Sequence, residues 1–343
     1  MHAALVFVLL FFSMLSNAQE ITLIGVGDIM MGSNYPDDDL PPDDGSELMS
    51  QVSDVLQAAD ITFGNLEGVL LDQGGEPKKC NDPAICYTFR TPTRFVKNLT
   101  RAGFDIMSLA NNHAGDFGDT GRRSSAETLK SAGIEYAGQA DKPYAILKKN
   151  NITYGFAAFA PNSNCQSINN LAEASKIIRH LDSLCDIVIV SFHGGAEGPS
   201  RTHVPRKQEI FLGENRGDVY QFAHQLIDCG ADVVFGHGPH VVRAVEVYRD
   251  RFIAYSLGNF CTYGKINVSG VNGIAPMVKV YADKTGKFLK GQVFSARQFQ
   301  RKPIQRDTIN KGALTQIRQL TKTDFPECRI EIDEDGWIRN SKN

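Results

Sequence analysis

Residues able to bind a metal ion follow six short apolar runs of this chain, each time at the end of the run. They are Asp28, Asn65, Glu67, Asn112, His193, His237, His240 and Asn259, several with a glycine beside them. Carboxylate, amide and imidazole groups without thiolates suit Mn, Zn or Fe better than Mg. A centre of this kind activates bound water and stabilises negative charge on a substrate oxygen. The pattern therefore predicts a hydrolytic site that holds divalent metal.

Taken one at a time, most of these residues have an ordinary structural explanation. Asp28 could cap a turn, and Asn65 and Glu67 could form a polar turn. The pair His237 and His240 is the strongest single signal, because two imidazoles in a Gly/Pro turn have little structural purpose. Six polar groups at six run ends are hard to explain as coincidence, so the metal interpretation is favoured.

The elements that must position these residues alternate between β-rich runs and helical patterns, which predicts βα units and a largely parallel sheet. Strands are predicted at Ile21–Val26, Ile61–Phe63, Ile106–Leu109, Tyr154–Phe159, Ile187–Phe192, Val233–Phe235 and Phe252–Leu257. Helices are predicted at Glu47–Ala58, Pro92–Ala102, Gly121–Ala132, Leu171–Leu184 and Asp218–Cys229. The carboxyl ends of parallel strands lie along one edge, where open α/β folds bind ligands.

Aspartates also precede four of the predicted strands, at the opposite end from the candidate ligands. They are Asp60, Asp105, Asp186 and Asp232. We expect them to cap or solvate the strand entry, and we assign them no chemistry.

Composition and the N-terminus limit the class of protein. The chain has 343 residues, a net charge of −3 and 42% hydrophobic residues, which is typical of a globular protein. The near-neutral charge gives no reason to expect a nucleic-acid partner. Residues 3–15 form an apolar run too short to span a bilayer, followed by Ser16-Asn17-Ala18. This predicts a signal peptide over 1–18 and an exported, soluble protein in the periplasm or outside the cell, with an uncleaved N-terminal anchor as the alternative.

Two further sets of residues carry weaker predictions. Cys80 and Cys86 lie in a polar loop and could close a short disulfide in an oxidising compartment. Glu197, Arg201 and His203 follow His193 in a loop and could reach the cleft. Together with Asn259, these three are candidates for substrate contact.

Several segments in combination resemble the CapA family of capsule-synthesis proteins, which is associated with poly-γ-glutamate. The segments are Val26-Gly-Asp28, Gly64-Asn-Leu-Glu67, Ala110-Asn-Asn-His113, Gly236-His-Gly-Pro-His240 and Tyr255-Ser-Leu-Gly-Asn-Phe260. The family is similar to the calcineurin-like metallophosphoesterases, so the resemblance implies an α/β fold, a β-sandwich flanked by helices. It implies one domain over 19–300, with a C-terminal extension over 301–343 of a helix and short strands packed on it.

The resemblance also implies roles for individual residues. Asp28 and His240 would bind a first metal, and Asn112, His193 and His237 would bind a second. His113 would be the catalytic acid that assists the leaving group. The superfamily usually has His where this chain has Met30, and a bridging Asp where it has Asn65, and its final histidine pair is usually spaced one residue closer. Glu67 could supply the missing charge, so we expect one well-founded metal site and leave the second open.

Two functional hypotheses follow. The first is a secreted metal-dependent hydrolase that cleaves a phosphoester or γ-glutamyl amide bond in an anionic cell-surface polymer or its precursor. Capsule-synthesis proteins would be its partners. The second is a non-catalytic polymer-binding or capsule-assembly factor with a weakened metal site, which the Met30 and Asn65 departures favour.

Overall fold

A computed structural model describes residues 20–79 and 87–341. The predicted signal peptide over 1–18 and the predicted Cys80–Cys86 disulfide lie outside these residues. Within the described ranges, no helix combines the length and apolar character that a membrane span requires.

The chain folds into twenty strands and six α-helices within the described ranges. The strands are β1 (Ile21–Met30), β2 (Ile61–Leu66), β3 (Val69–Leu70), β4 (Arg90–Thr91), β5 (Ile106–Ser108), β6 (Glu135–Ala137), β7 (Tyr144–Lys149), β8 (Ile152–Phe159), β9 (Ile187–His193), β10 (Ile210–Phe211), β11 (Glu214–Asn215), β12 (Val233–His237), β13 (Val245–Tyr248), β14 (Arg251–Ala254), β15 (Asn259–Thr262), β16 (Ile274–Ala282), β17 (Phe288–Arg297), β18 (Gln305–Arg306), β19 (Ile330–Ile332) and β20 (Trp337–Asn340). The helices are α1 (Ser53–Leu56), α2 (Val96–Ala102), α3 (Gly118–Ser131), α4 (Leu171–Asp182), α5 (Val219–Asp228) and α6 (Gly312–Asp324).

Two mixed sheets contain most of these strands. The first has the order β19-β20-β17-β16-β1-β2-β5-β6, with β15 beside β1, and the second has the order β13-β14-β12-β9-β8-β7. In the second sheet the parallel strands are flanked on both sides by an antiparallel strand, whereas in the first sheet the parallel strands β1-β2-β5-β6 form one end and the antiparallel strands form the other. The prediction of one largely parallel sheet was therefore wrong, because the βα units divide between two sheets. The β-sandwich flanked by helices that the resemblance implied is confirmed.

An apolar layer from both sheets forms the centre of the molecule. Phe63 of β2 stacks on Phe235 of β12 with ring centroids 5.5 Å apart, and Phe63 also contacts Phe156 of β8. All three rings are fully buried, and burying each contributes roughly 1.5–3 kcal/mol. This layer holds the two sheets together, so the ends of their strands keep a fixed relative position.

Amphipathic helices cover the outer faces. Helices α4 and α5 pack on the second sheet through buried residues such as Ile178 and Leu226. Each has an N-cap residue, Asn170 for α4 and Asp218 for α5, whose side chain accepts a hydrogen bond from a backbone N–H of the first turn. The segment after 301 also contacts the sandwich, since α6 packs on β17 and β20 pairs with β17. The predicted boundary at residue 300 stays a prediction.

The predicted helix over Glu47–Ala58 is reduced to α1, Ser53–Leu56. The preceding residues form single turns instead, because the N–H groups of Leu48, Ser50 and Val52 bond to carbonyls three residues earlier rather than four.

The four aspartates before the strands join neighbouring strands of each sheet at their amino ends. Their Oδ2 atoms accept backbone N–H bonds from the neighbouring strand: Asp60 from Thr22 at 2.9 Å, Asp105 from Thr62 at 2.9 Å, Asp186 from Thr153 at 2.8 Å and Asp232 from Val188 at 2.8 Å. The predicted capping role is confirmed, and each aspartate links its own strand to the next one in the sheet.

Candidate metal centre

The carboxyl ends of the parallel strands bring the candidate ligands together from both sheets. Asp28 of β1 pairs in register with Asn65 of β2, and His193 of β9 pairs with His237 of β12. All four are buried. Gly27 lets the backbone before Asp28 pass close to Gly258, because a Cβ at residue 27 would lie 2.0 Å from the carbonyl oxygen of Gly258.

Three side chains form a compact cluster, hereafter the metal cluster: Asp28, Glu67 and His240. Their ligating atoms all lie within 4.8 Å of one another. His240 Nδ1 is 3.1 Å from Asp28 Oδ2, and its Nε2 is 3.5 Å from Glu67 Oε1. His240 has φ of 56°, a left-handed conformation that is costly for a residue with a Cβ and is concentrated at functional sites. His193 Nε2 follows at 3.9 Å from Glu67 Oε1.

Several buried polar atoms of the candidate ligands have no hydrogen-bond partner in the described part of the chain. They are both carboxylate oxygens of Glu67, both ring nitrogens of His193 and Oδ1 of Asn112. A buried polar atom without a partner costs free energy, so folded proteins retain such atoms where a ligand completes them. Oxygen and nitrogen donors at one point fit a divalent cation of the Mn, Zn or Fe type.

The charges in the metal cluster are strongly coupled. Burial opposes ionisation of Asp28, but the hydrogen bond and positive charge of His240 lower its pKa to about 2. Burial and the nearby Asp28 carboxylate raise the pKa of Glu67 well above its usual range. Burial disfavours the imidazolium form of His240, yet Glu67 and Asp28 raise the pKa of His240 well above its usual range. Two buried carboxylates thus attract positive charge to one point.

Asn65 uses both ends of its amide inside the protein. Its Nδ2 donates to Asp28 Oδ1 at 2.8 Å, and its Oδ1 accepts from Asn111 Nδ2 at 3.0 Å. Asn111 Oδ1 in turn accepts from the backbone N–H of His113 at 3.0 Å. In this arrangement Asn65 positions Asp28, and its role as a metal ligand stays a prediction.

His237 is buried between the sheets rather than directed at the metal cluster. Its Nε2 lies 3.0 Å from the carbonyl oxygen of Val26, and its Nδ1 lies 3.5 Å from Ser191 Oγ. Burial lowers the pKa of His237, so the ring is neutral and Nε2–H donates to the carbonyl. Both nitrogens have polar neighbours, and its role as a second-metal ligand stays a prediction.

His113 and Asp116 form a buried pair beside these residues. His113 Nδ1 is 2.8 Å from Asp116 Oδ2, and Lys78 Nζ is 2.6 Å from Asp116 Oδ1. The ring of Phe89 packs on the imidazole with centroids 4.3 Å apart. Burial lowers the pKa of His113, although Asp116 opposes this effect. With Nδ1 held by Asp116, Nε2 is the nitrogen left to exchange a proton.

Asn259 and Glu197 lie near different ring nitrogens of His240. Asn259 Oδ1 lies 3.0 Å from His240 Nδ1, and Asn259 Nδ2 donates to the carbonyl of Asn272 at 3.1 Å. Glu197 Oε2 lies 4.0 Å from His240 Nε2. Asn259 therefore orients His240, while Glu197 borders the metal cluster.

Arg201 and His203 lie elsewhere. His203 Nδ1 is 2.6 Å from Asp324 Oδ1 in α6, and the Arg201 side chain is exposed. Within residues 20–79 and 87–341, neither forms a hydrogen bond or ion pair with the metal cluster. Their predicted role in substrate contact stays a prediction.

Asp116 was missed by the sequence reasoning, although its spacing of three residues from His113 was a readable signal. Arg216 was missed as well. It is 3% exposed and its Nη2 lies 3.1 Å from Glu197 Oε1. No local pattern marks this arginine, since a hairpin distant in sequence from the metal cluster places it there.

A two-sheet sandwich with a buried acid–histidine cluster at its strand ends defines an α/β protein with a candidate metal centre. The chain belongs to the family described as "Bacterial capsule synthesis protein PGA_cap", whose model matches residues 22–263.

Curated relatives agree with this placement. The chain is 29% identical to the capsule biosynthesis protein CapA of Bacillus anthracis, over 71% of this chain and 60% of that protein. It is 26% identical to the PGA biosynthesis protein CapA of Bacillus subtilis strain 168, over 89% and 79%. The chain therefore spans about three fifths of the length of the B. anthracis relative.

The structural similarity concerns the fold alone. A hypothetical protein from Thermus thermophilus superposes with a TM-score of 0.50 and 15% sequence identity. The match covers 81% of this chain and 100% of that protein.

Proposed function

We propose that this protein is an exported metal-dependent hydrolase that acts on an anionic cell-surface polymer or its precursor, in capsule or poly-γ-glutamate synthesis or processing. The observation that carries the proposal is the metal cluster, whose buried ligating atoms converge within 4.8 Å. Membership of the capsule-synthesis family supports the polymer pathway. Capsule-synthesis proteins are the proposed partners.

Five side chains would hold the metal. Asp28, Glu67 and His240 would bind it directly, with His193 and Asn112 completing the shell through their unpartnered atoms. A divalent metal bound here supplies an activated water and stabilises negative charge on the substrate. Asn65 and Asn259 would keep Asp28 and His240 in place, since each holds its partner by a side-chain hydrogen bond.

His113 would give a proton from Nε2 to the leaving group. Asp116 fixes the ring by accepting the Nδ1 hydrogen bond, and Lys78 balances the charge of this buried carboxylate. Burial lowers the pKa of His113 and disfavours the imidazolium, whereas the charge and hydrogen bond of Asp116 oppose this effect and favour the protonated ring that the transfer requires. General acid catalysis of this kind contributes typically ~10²- to 10⁴-fold to the rate.

A non-catalytic polymer-binding or assembly factor is the second candidate. The observation in its favour is that Asn65 stands at the expected position of a bridging carboxylate and has both amide ends engaged. Met30 likewise offers no strong ligand, and its sulfur accepts the N–H of Gly32.

The two candidates are separated by metal analysis of the purified protein, followed by turnover assays on a generic phosphodiester and on poly-γ-glutamate. The hydrolase proposal expects bound metal and turnover of one substrate. His113→Ala should keep the metal and lose turnover, whereas exposed His180→Ala should change neither. Bound metal without turnover of either substrate would favour the binding factor, and metal loss in His113→Ala would contradict its role as the acid.

A further inference from the structure

Arg216 is a buried cation beside the metal cluster that the proposed mechanism does not use. It directly follows β11, and its side chain is 3% exposed. Its Nη1 donates to Glu214 Oε2 at 3.0 Å. Its Nε and Nη2 are buried and make no hydrogen bond within the described residues, although Nη2 lies 3.1 Å from Glu197 Oε1.

A second buried arginine, Arg243, has a structural role and serves for comparison of the hydrogen bonds. Arg243 forms two parallel bonds with Glu209, at 2.7 and 2.8 Å, and its Nε donates to the carbonyl of Arg201 at 2.8 Å. All three donor nitrogens of Arg243 therefore have partners. In Arg216 the Nε–Nη2 edge, which has the geometry for a bidentate bond to a carboxylate or phosphate, is left without one.

The position of Arg216 connects this edge to the metal cluster. Glu197 lies between the two, with Oε1 3.1 Å from Arg216 Nη2 and Oε2 4.0 Å from His240 Nε2. Arg216 and His240 of the metal cluster therefore share Glu197 as a common neighbour.

We propose that the Nε–Nη2 edge of Arg216 binds an oxyanion of the substrate, a carboxylate or a phosphate, next to the metal cluster. Glu197 is the counter-ion that holds this edge in the absence of substrate. Its side chain is 21% exposed, so it can move toward solvent when an anion enters. The inference rests on the proposed function and names its substrate class as one with an anionic group beside the scissile bond.

The charge balance supports this role. Asp28, Glu67 and Glu197 place three carboxylates around His240, so an incoming anion would be repelled without compensating positive charge. A metal ion bound by Asp28, Glu67 and His240 offsets part of this charge, and Arg216 offsets more from the Glu197 side. A fixed, poorly hydrated guanidinium suits this task better than an ammonium group.

The test is calorimetric binding of two probes, inorganic phosphate and glutarate, to the metal-loaded wild-type protein and to Arg216→Gln and Arg216→Lys. Both variants should keep their metal content and bind the probe that the wild type prefers roughly 10- to 100-fold more weakly. Glutamine removes both the charge and the bidentate edge, and lysine retains the charge but lacks that edge. The probe that binds more tightly to the wild type identifies the oxyanion. Arg249→Gln is the matched control, since Arg249 is 67% exposed and pairs with Asp228.

Arg216→Gln with metal bound and wild-type affinity for both probes would overturn the inference. If the Arg216 variants do not fold, Glu197→Gln provides the second test. This variant removes the competing carboxylate and should bind the same probe several-fold more tightly, and unchanged or weaker binding would overturn the role of Glu197. Metal content is measured separately, so that the two proposals can fail independently. Failure of the wild type to bind metal would count against the hydrolase proposal. Phosphate binding in EDTA that still depends on Arg216 would support the present inference.

Discussion

The two ends of the parallel strands use the same kind of side chain in opposite ways. At the amino ends, Asp60, Asp105, Asp186 and Asp232 each accept a backbone N–H from the neighbouring strand. At the carboxyl ends, Glu67 is fully buried and neither of its oxygens has a hydrogen-bond partner among the described residues. The aspartates that stabilise the fold thus have their hydrogen-bond partners within the fold, whereas Glu67 of the metal cluster has none among the described residues.

According to this contrast, the amino ends of the strands contribute to stability and the carboxyl ends contribute to function. A satisfied carboxylate at one end should be needed for folding and not for metal binding. An unpartnered carboxylate at the other end should be needed for metal binding and should cost stability in the metal-free protein. The variants below test the contrast from the largest expected effect to the smallest.

Glu67→Gln should have the largest effect on function. It removes a buried metal ligand, so metal content should fall below detection and turnover should fall by roughly 10³-fold or more, given the size of metal catalysis. The metal-free variant should be as stable as the metal-free wild type or more stable, because a buried charge is removed. Metal analysis and urea unfolding in EDTA measure both effects. A marked loss of stability in EDTA would show that Glu67 is structural instead.

Asp116→Asn should have the next largest effect, on turnover alone. The asparagine weakens the bond that orients His113 and removes the carboxylate that pairs with Lys78. We expect turnover to fall by roughly 10²-fold, within the range for general acid–base catalysis, with unchanged metal content. Parallel metal analysis is the control, and loss of metal in this variant would place Asp116 in the metal centre.

Removal of metal from the wild type should lower the melting temperature. Metal that binds only the native state stabilises it by about 2.7 kcal/mol at a free concentration 100 times its dissociation constant. Thermal unfolding with and without EDTA measures the shift, and Glu67→Gln should show none. An equal EDTA effect on wild type and Glu67→Gln would locate the metal elsewhere.

Asp232→Ala should have the smallest effect on function and a clear effect on stability. The change leaves the N–H of Val188 and the guanidinium of Arg251 without this partner, which costs about 1–3 kcal/mol of unfolding free energy. Its metal content and metal affinity should match the wild type. Urea unfolding measures the stability, and metal titration measures the affinity. Weaker metal binding with unchanged stability would contradict the structural role assigned to the amino ends of the strands.

The positions of the candidate ligands could be predicted from the sequence because they depend on local pattern. An apolar run that ends in Gly and a polar residue places that residue at a strand end, and this located Asp28, Glu67 and His240. The division into two sheets was not readable from the alternation of elements, because periodicity identifies a strand and not the sheet it joins. The family resemblance supplied the sandwich instead.

The finer roles depend on contacts that a sequence pattern does not contain. The pattern treats Asn65 and His237 as ligands, yet their polar atoms are engaged by Asp28, Asn111 and the carbonyl of Val26. Arg216 reaches the metal cluster through a hairpin and has no local signature. Distinguishing a ligand from a positioning residue requires knowing which polar atoms are already satisfied.

The most direct test of the metal centre is anomalous diffraction from crystals grown with Mn or Zn, recorded at the metal edge. The account predicts a peak about 2.0–2.3 Å from atoms of Asp28, Glu67 and His240, the coordination distance for oxygen and nitrogen ligands. A strong peak at another place, or none at the metal cluster in metal-saturated crystals, would contradict it.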